Sequence, residues 1–467
     1  VANTLPLLSA SVVADDDLKS IKRLAGQITS NLPYLVRLDR YSRGLQRLEH
    51  IGLAVPPELR HFETVVNVPR MAVVEPERRQ SLRAFYRVGD STKEDPALRE
   101  AWEFNNLPSE SSLMQTDEKI YGRSFVAVGT NPDDRAHPLI TVESPLQMGY
   151  EVDAQRRRFR QLFRMYTDPT TLKTHGTLYK PNSTTPYIYD NGWNVNGPTD
   201  AHNLGRVPVV MFLNRRRAGD WWGESEMSDV IGMTDGIARL VTNMQVGAEG
   251  HALPSWFISG VDQKDFQDRD GNPVPVWESY ITKIKALTND KAKVQQFQAG
   301  DLKNFTDAVN NMFSWCAAVL GLPTRYAGQQ SVNPATEGAI NADESRLIRN
   351  VERMNANDGD GWSWVMGLEE KFRTGNFEPT NNIRTIYHNP ATPTLAQTAD
   401  AAMKMKSVGA LSTEGVWDLL GWDEARKAQE RARLSAEAQS AAQNDPVLTA
   451  ARALSSGTAA ATPPANQ

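Results

Sequence analysis

Two apolar stripes of helical period, one on either side of a short insert, constrain this chain more than any other feature. In Ser225–Gly250, Val230, Ile237 and Met244 form one heptad column, and Thr234, Val241 and Ala248 form a second. Side chains recurring at steps of three and four share one face of a helix. At a rise of ~1.5 Å per residue that helix is about 39 Å long. Gly232 and Gly236 sit one turn apart within it. Each glycine costs helix stability, so close approach of a neighbouring backbone is the expected reason for them. Pro254 bars continuation. The pattern resumes after Asp301, where Leu302, Phe305, Val309, Met312, Cys316 and Val319 again step by three and four. Gly321 and Pro323 end that run in the expected order. The prediction is two long helices that leave and return to a body, with residues 251–300 as a small α/β module at their far end.

A polar loop and a third long helix follow at once. Asn333-Pro334 supplies an N-cap and the one helical position that favours proline. Ile340, Leu347, Ile348, Val351 and Met354 then line one face. Glu337, Glu344 and Asp358 fall in the heptad column of Val351. An unpaired buried carboxylate is costly, so acids on an apolar seam need partners. One reading is a core helix whose carboxylates reach solvent at the edge. The other is a seam packed against a second copy of the chain, with arginines facing Glu337 and Glu344. The glycines in Asn357–Gly361 predict a kink or a break in this helix.

The rest of the chain divides by period. Leu18, Ile21, Leu24 and Ile28 make a helical stripe after Asp15–Asp17, acids that suit a helix N-terminus. Helical patterning continues through Leu35, Leu38, Leu45 and Leu48, and again through Arg78, Leu82 and Phe85. Two more helices are expected, one around Trp102 ending near Pro108 and one at Leu113–Tyr121. From Gly122 to Asn214 the period shortens to two, broken by Gly, Pro and Asn turns, and predicts a mainly β layer on the N-terminal helices. The fold class is α+β. In the insert, Asp270-Gly271 predicts a hairpin between Trp256–Ile258 and Val274–Trp277. Its charge is sorted: Asp262, Asp265, Asp268, Asp270 and Glu278 come first, then Lys283, Lys285, Lys291 and Lys293.

Composition narrows the function. A net charge of −5 argues against a chain that grips nucleic acid as a whole. The single cysteine, Cys316, excludes an intrachain disulfide and a multi-cysteine metal site. No apolar run reaches the roughly 18–20 residues of a membrane helix. No phosphate-binding glycine loop, zinc-protease pair or nucleophile elbow is present. Asp268–Gly271 fails as a calcium loop, because the first and twelfth ligand positions would be Phe266 and Trp277. The seven histidines show no ligand spacing. No cofactor is expected and the chain is read as a non-enzyme, the alternative being an enzyme of unrecognised type whose site is built from scattered residues. The basic runs Arg156–Arg158 and Arg215–Arg217 read as solvated faces, with phosphate contact as the alternative. Long seam-bearing helices without a catalytic cluster point to a self-assembling ring, in which each subunit offers its neighbours two different faces.

The order of several motifs resembles the bacteriophage portal proteins of the SPP1-like type, in the form common in phages of actinobacteria. The residues that carry it are Tyr41–Gln46, Asn67–Arg70, Trp102–Leu107, Tyr121–Val126 and Val142–Pro145. Further on they are Pro208–Val210 with Asn214-Arg215, Gly223–Glu226, Pro334–Ile340 and the segment Ala401–Gly421 containing Gly409–Ser412. The resemblance implies a portal fold assembled as a ring, usually of about twelve copies, at one capsid vertex of the virion. Residues 1–222 would be the wing, 223–250 and 301–320 the two stem helices, and 251–300 the clip. Residues 321–333 would be the tunnel loop, 334–393 the long helix and return to the wing, 394–444 the helical crown, and 445–467 a disordered tail. Implied partners are further copies of the chain, the terminase large subunit, a head–tail adaptor, the major capsid and scaffolding proteins, and double-stranded DNA passing through the channel. Membranes are not among them, and assembly would take place in the host cytoplasm. Arg325, Tyr326, Gln329, Gln330 and Asn333 are the expected DNA-facing residues. Lys283, Lys285, Lys291 and Lys293 would dock adaptor and terminase. Glu337, Glu344, Val230, Ile237 and Met244 would lie between subunits. A tunnel that must pass DNA should not hold it, and Glu226, Asp229, Asp235 and Glu249 against Arg239 suit a low-friction wall.

Overall fold

The computed structural model describes residues 13–47, 64–89, 94–252, 256–259, 293–296, 302–327, 337–375, 382–391, 395–422 and 424–444. The chain forms two compact units, Val1–Ala391 and Thr392–Gln467.

The first unit begins with α1 (Asp15–Arg43), whose first turn carries three aspartates and whose buried face is Ile21, Leu24, Ile28, Leu35 and Leu38. Pro33 lies inside this helix, so Leu35 and Leu38 extend it rather than start another. It ends at Gly44, whose φ of 70° is the left-handed conformation that glycine adopts without strain. The helix α2 (Val68–Glu77) is capped by Asn67, which accepts from the Arg70 amide at 3.2 Å. The chain then enters the strand β1 (Leu82–Arg87), where the sequence pattern predicted more helix. Its partner is β12 (Ile383–Tyr387), antiparallel and some three hundred residues away, which local periodicity does not report. Then follow α3 (Pro96–Phe104), capped by Asp95, and α4 (Leu107–Tyr121). Pro108 sits in the first turn of α4 and so opens that helix instead of ending the previous one.

The β layer is two antiparallel sheets. One has the order β3-β2-β9, built from β2 (Arg123–Gly129), β3 (Leu139–Glu143) and β9 (Val209–Leu213). The other is a meander of β4 (Met148–Asp153), β5 (Arg158–Thr167), β6 (Thr174–Tyr179), β7 (Thr184–Tyr189) and β8 (Trp193–Val195). Helices followed by antiparallel sheets give the α+β class that the period change predicted.

Two long helices come next, α5 (Ser228–Ala252) and α6 (Lys303–Leu320). Thr306 meets Met244, and a Cβ on Gly236 would strike the end of Met312, so the helices run antiparallel. The expected close approach is thus seen at Gly236, though from a side chain, while Gly232 faces open space within the chain. Between them, β10 (Trp256–Ser259) pairs antiparallel with β11 (Lys293–Gln296). The predicted strand Val274–Trp277 and the turn at Asp270-Gly271 lie outside the described residues.

The helix α7 (Glu337–Thr374) is one continuous helix through Asn357–Gly361, so of the expected kink or break there is no break. A Cβ on Gly359 would collide with the Thr385 hydroxyl, and one on Gly361 with the Phe212 ring. The glycines are there to let β12 and β9 lie against the helix backbone. Trp362, fully buried, completes this packing edge-on to Trp102 at 4.8 Å and against Phe212 at 5.2 Å.

The second unit contains α8 (Leu395–Ser407), α9 (Thr413–Leu419) and α10 (Glu424–Asn444). Ser412 caps α9 by accepting from the Gly415 amide. Arg431 of α10 makes a two-pronged bond to Glu414 at 2.7 and 2.8 Å, and Lys427 reaches Asp418 at 2.7 Å.

Candidate functional site

The polar loop after α6 is rooted before it leaves the described residues. Gly321, with a φ of 69°, ends α6, and Arg346 of α7 packs on it while donating to the Ala318 carbonyl at 2.7 Å. A single 3-10 turn, Thr324–Ala327, follows. Arg325 in that turn donates to one oxygen of Glu344, and Arg79, just past α2, donates to the other at 3.0 Å. The Tyr326 hydroxyl accepts from Arg79 at 3.0 Å and donates to Glu344 at 3.2 Å. Arg79 also donates to the Pro390 carbonyl at 3.0 Å. One carboxylate therefore joins α2, α7 and the loop root. Burial opposes the charge on Arg79, but the hydrogen bonds and charges of Glu344 and Tyr326 outweigh it and raise its pKa.

A second polar cluster lies farther along the same face of α7. Gln80, the residue after Arg79, donates to Asp358 at 2.8 Å and to Asn355 at 3.2 Å. Fully buried Lys119 donates to Gln80 and to the Gln115 carbonyl. Glu118 shares a hydrogen bond with Asp358, and burial, then the Asp358 charge, hold its pKa well above the usual carboxylate range. Burial likewise raises Asp358, with Lys119 opposing. The nearby Lys119 charge opposes both rises, but burial outweighs it at each carboxylate.

These placements show where the residues expected at subunit contacts and on the channel wall sit within the single chain. Glu344 finds the arginines its position called for, but inside its own chain. Val230 and Ile237 are fully buried against α1, α2 and α6, and so are spent on the subunit's own core. Met244 is half-buried beside Thr306. The acids expected to bare a wall are also bonded within the chain. Asp235 accepts from the Tyr41 hydroxyl at 2.8 Å, and Arg215 holds Glu226 at 3.1 Å and Asp229 at 2.7 Å. Of the expected DNA-facing residues, Arg325 and Tyr326 are half-buried at the loop root, and Gln329, Gln330 and Asn333 lie outside the described residues. Lys283, Lys285 and Lys291 lie outside them too, as does Glu249's side chain. Lys293 opens β11 and Glu337 opens α7, with their side chains undescribed. Arg79 and Gln80 were missed. Their one sequence signal is the polar run Arg78-Arg79-Gln80 that follows the capped helix α2.

Residues 61–444 match the profile of a family described as phage portal protein, SPP1 Gp6-like. The chain is 35 % identical over 380 residues to the portal protein of Mycobacterium phage D29, covering 79 % of this chain and 78 % of that protein. It is 33 % identical over 410 residues to the portal protein of Mycobacterium phage L5, covering 85 % and 82 %. Among solved structures, a chain from the neck of a native GTA particle, computed with C12 symmetry, is similar with a TM-score of 0.49 and 12 % identity, covering 83 % of this chain and 93 % of that one. A chain from the neck of an empty GTA particle, with C6 symmetry, has a TM-score of 0.45, 11 % identity and the same coverage of 83 % and 93 %.

Proposed function

This chain belongs to the SPP1 Gp6-like family of phage portal proteins, and from that premise we propose that it is the repeating subunit of a ring at one vertex of a phage capsid. The ring is a structural channel through which double-stranded DNA is packaged and later ejected. It docks the terminase large subunit during filling and a head–tail adaptor afterwards. The observation that carries this reading is the family match across residues 61–444, together with named relatives above 30 % identity over most of both chains. The antiparallel pair α5 and α6 supports the role of a stem, with residues 251–300 as the clip at its far end. The anchoring of Arg325 and Tyr326 to Glu344 supports residues 321–333 as a loop held at its root, the part that would meet DNA. The family role is structural rather than catalytic.

The test is mass by light scattering together with negative-stain images of the purified chain. Closed rings of roughly a dozen subunits are expected. A compact monomer or dimer at every protein concentration overturns the ring.

A further inference from the structure

We infer that a cleft in the first unit, between the β layer and α7, is a docking site for an acidic peptide segment that carries a large apolar side chain. The cleft encloses about 630 Å³, and its floor includes Met211 and Phe212 of β9, Trp221 and Trp364. Arg156–Arg158, Arg206, Arg216 and Arg384 stand around it. An adjoining hollow of about 510 Å³ shares Arg157 and Arg216 and adds Arg217 and Arg353. Eight guanidinium groups thus line one continuous wall, against the carboxylates of Asp220, Asp358 and Asp360. Asp358 is buried and committed to Gln80 and Glu118.

Among the described residues, none of these eight arginines lies within 4.0 Å of a carboxylate. Elsewhere the chain pairs its arginines readily: Arg79, Arg87, Arg164, Arg215, Arg325 and Arg373 all hold acids. In a chain with a net charge of −5 there is no shortage of acids to neutralise such a cluster. Arg206 is the clearest case. It lies flat on Trp364, 3.5 Å from the ring centroid. Burial, then the neighbouring charge of Arg158, push its pKa down to about 10. A desolvated guanidinium stacked on an aromatic ring keeps its forked donors for a planar anion.

Shape selects the occupant. A DNA duplex is convex and offers phosphates to a surface, leaving a concave apolar floor unfilled. A peptide can place one large side chain on the floor and its carboxylates on the arginine rim. Recognition of acidic motifs by arginine clusters works this way. The site lies within the first unit and requires no second copy, so it stands or falls independently of the ring.

The experiment uses the full chain and a fluorescein-labelled peptide of Glu and Asp residues around a central Trp, read by fluorescence anisotropy. The double variant Arg157→Glu/Arg216→Glu is expected to weaken binding by about tenfold or more, as removal of complementary charge does. Replacing the peptide's Trp by Ala should weaken binding severalfold. The charge-matched control Arg40→Glu/Arg70→Glu, on α1 and α2, should bind as the parent does. Arg206→Gln provides a second reading that changes no exposed charge, and it should also lose affinity. Peptide binding unchanged by R157E/R216E and by R206Q overturns the site. A short DNA duplex that displaces the peptide more strongly than unlabelled peptide does, at equal total charge, overturns the peptide assignment in favour of nucleic acid.

Discussion

Glu344 holds two arginines and a tyrosine on its two oxygens, with a side chain only 11 % exposed. Removing one partner of such a pair leaves the other charge buried and alone. Glu344→Ala should therefore lower stability by about 3 kcal/mol, measured by urea unfolding, and Glu344→Gln by less because the amide oxygen still accepts. An unchanged midpoint for both variants would show that the anchor carries no energy. Glu118 acts in the opposite sense. Its raised pKa means that the folded state holds a proton the unfolded state releases. Burial pushes the neighbouring Asp117 up to about 6 in the same way. Stability from both groups is complete below the ordinary carboxylate range and is lost as pH rises through their raised values. Glu118→Gln should flatten that decline, seen in urea midpoints measured at mildly acidic and at mildly alkaline pH. A decline as steep as the parent's would mean that Asp358 alone carries the proton.

At the scale of elements, glycine in a helix has two different causes here. Gly232 on α5 has open space, whereas Gly361 on α7 has the Phe212 ring against its backbone. Gly232→Ala should stabilise the isolated chain by about 0.5–1 kcal/mol through helix propensity. Gly361→Ala should cost about 1–3 kcal/mol, because the methyl forces β9 away. Thermal melts of the two variants should move in opposite directions; equal shifts would refute the packing account. Sequence marked both glycines but did not separate them. The stripes of α5 and α6, the cap at Asn67 and the short period of the β layer were legible because they depend on residues close in the chain. The pairing of β1 with β12 was not, since Phe85 also fits a helical stripe and its partner strand is remote. The arginine cleft was half-legible: the runs at Arg156 and Arg215 were visible, but Arg206, Arg353 and Arg384 join them only through folding, and Arg215 itself turns away to Glu226 and Asp229.

At the scale of the molecule, the sequence pointed to a ring from helices with two faces and to a family from the order of its motifs. It placed Glu344 and the α5 stripe between subunits because a seam of mixed acids and aliphatics gives no hint of which helix covers it. The structure covers it with α2 and α6 of the same chain. Among the large apolar side chains of these helices, Trp315 and Val319 of α6 stay exposed in the subunit.

The clamp on Glu344 also bears on timing. Arg79, Arg325 and Tyr326 all come from one polypeptide, so the root of the loop is set when a single chain folds, before it meets another.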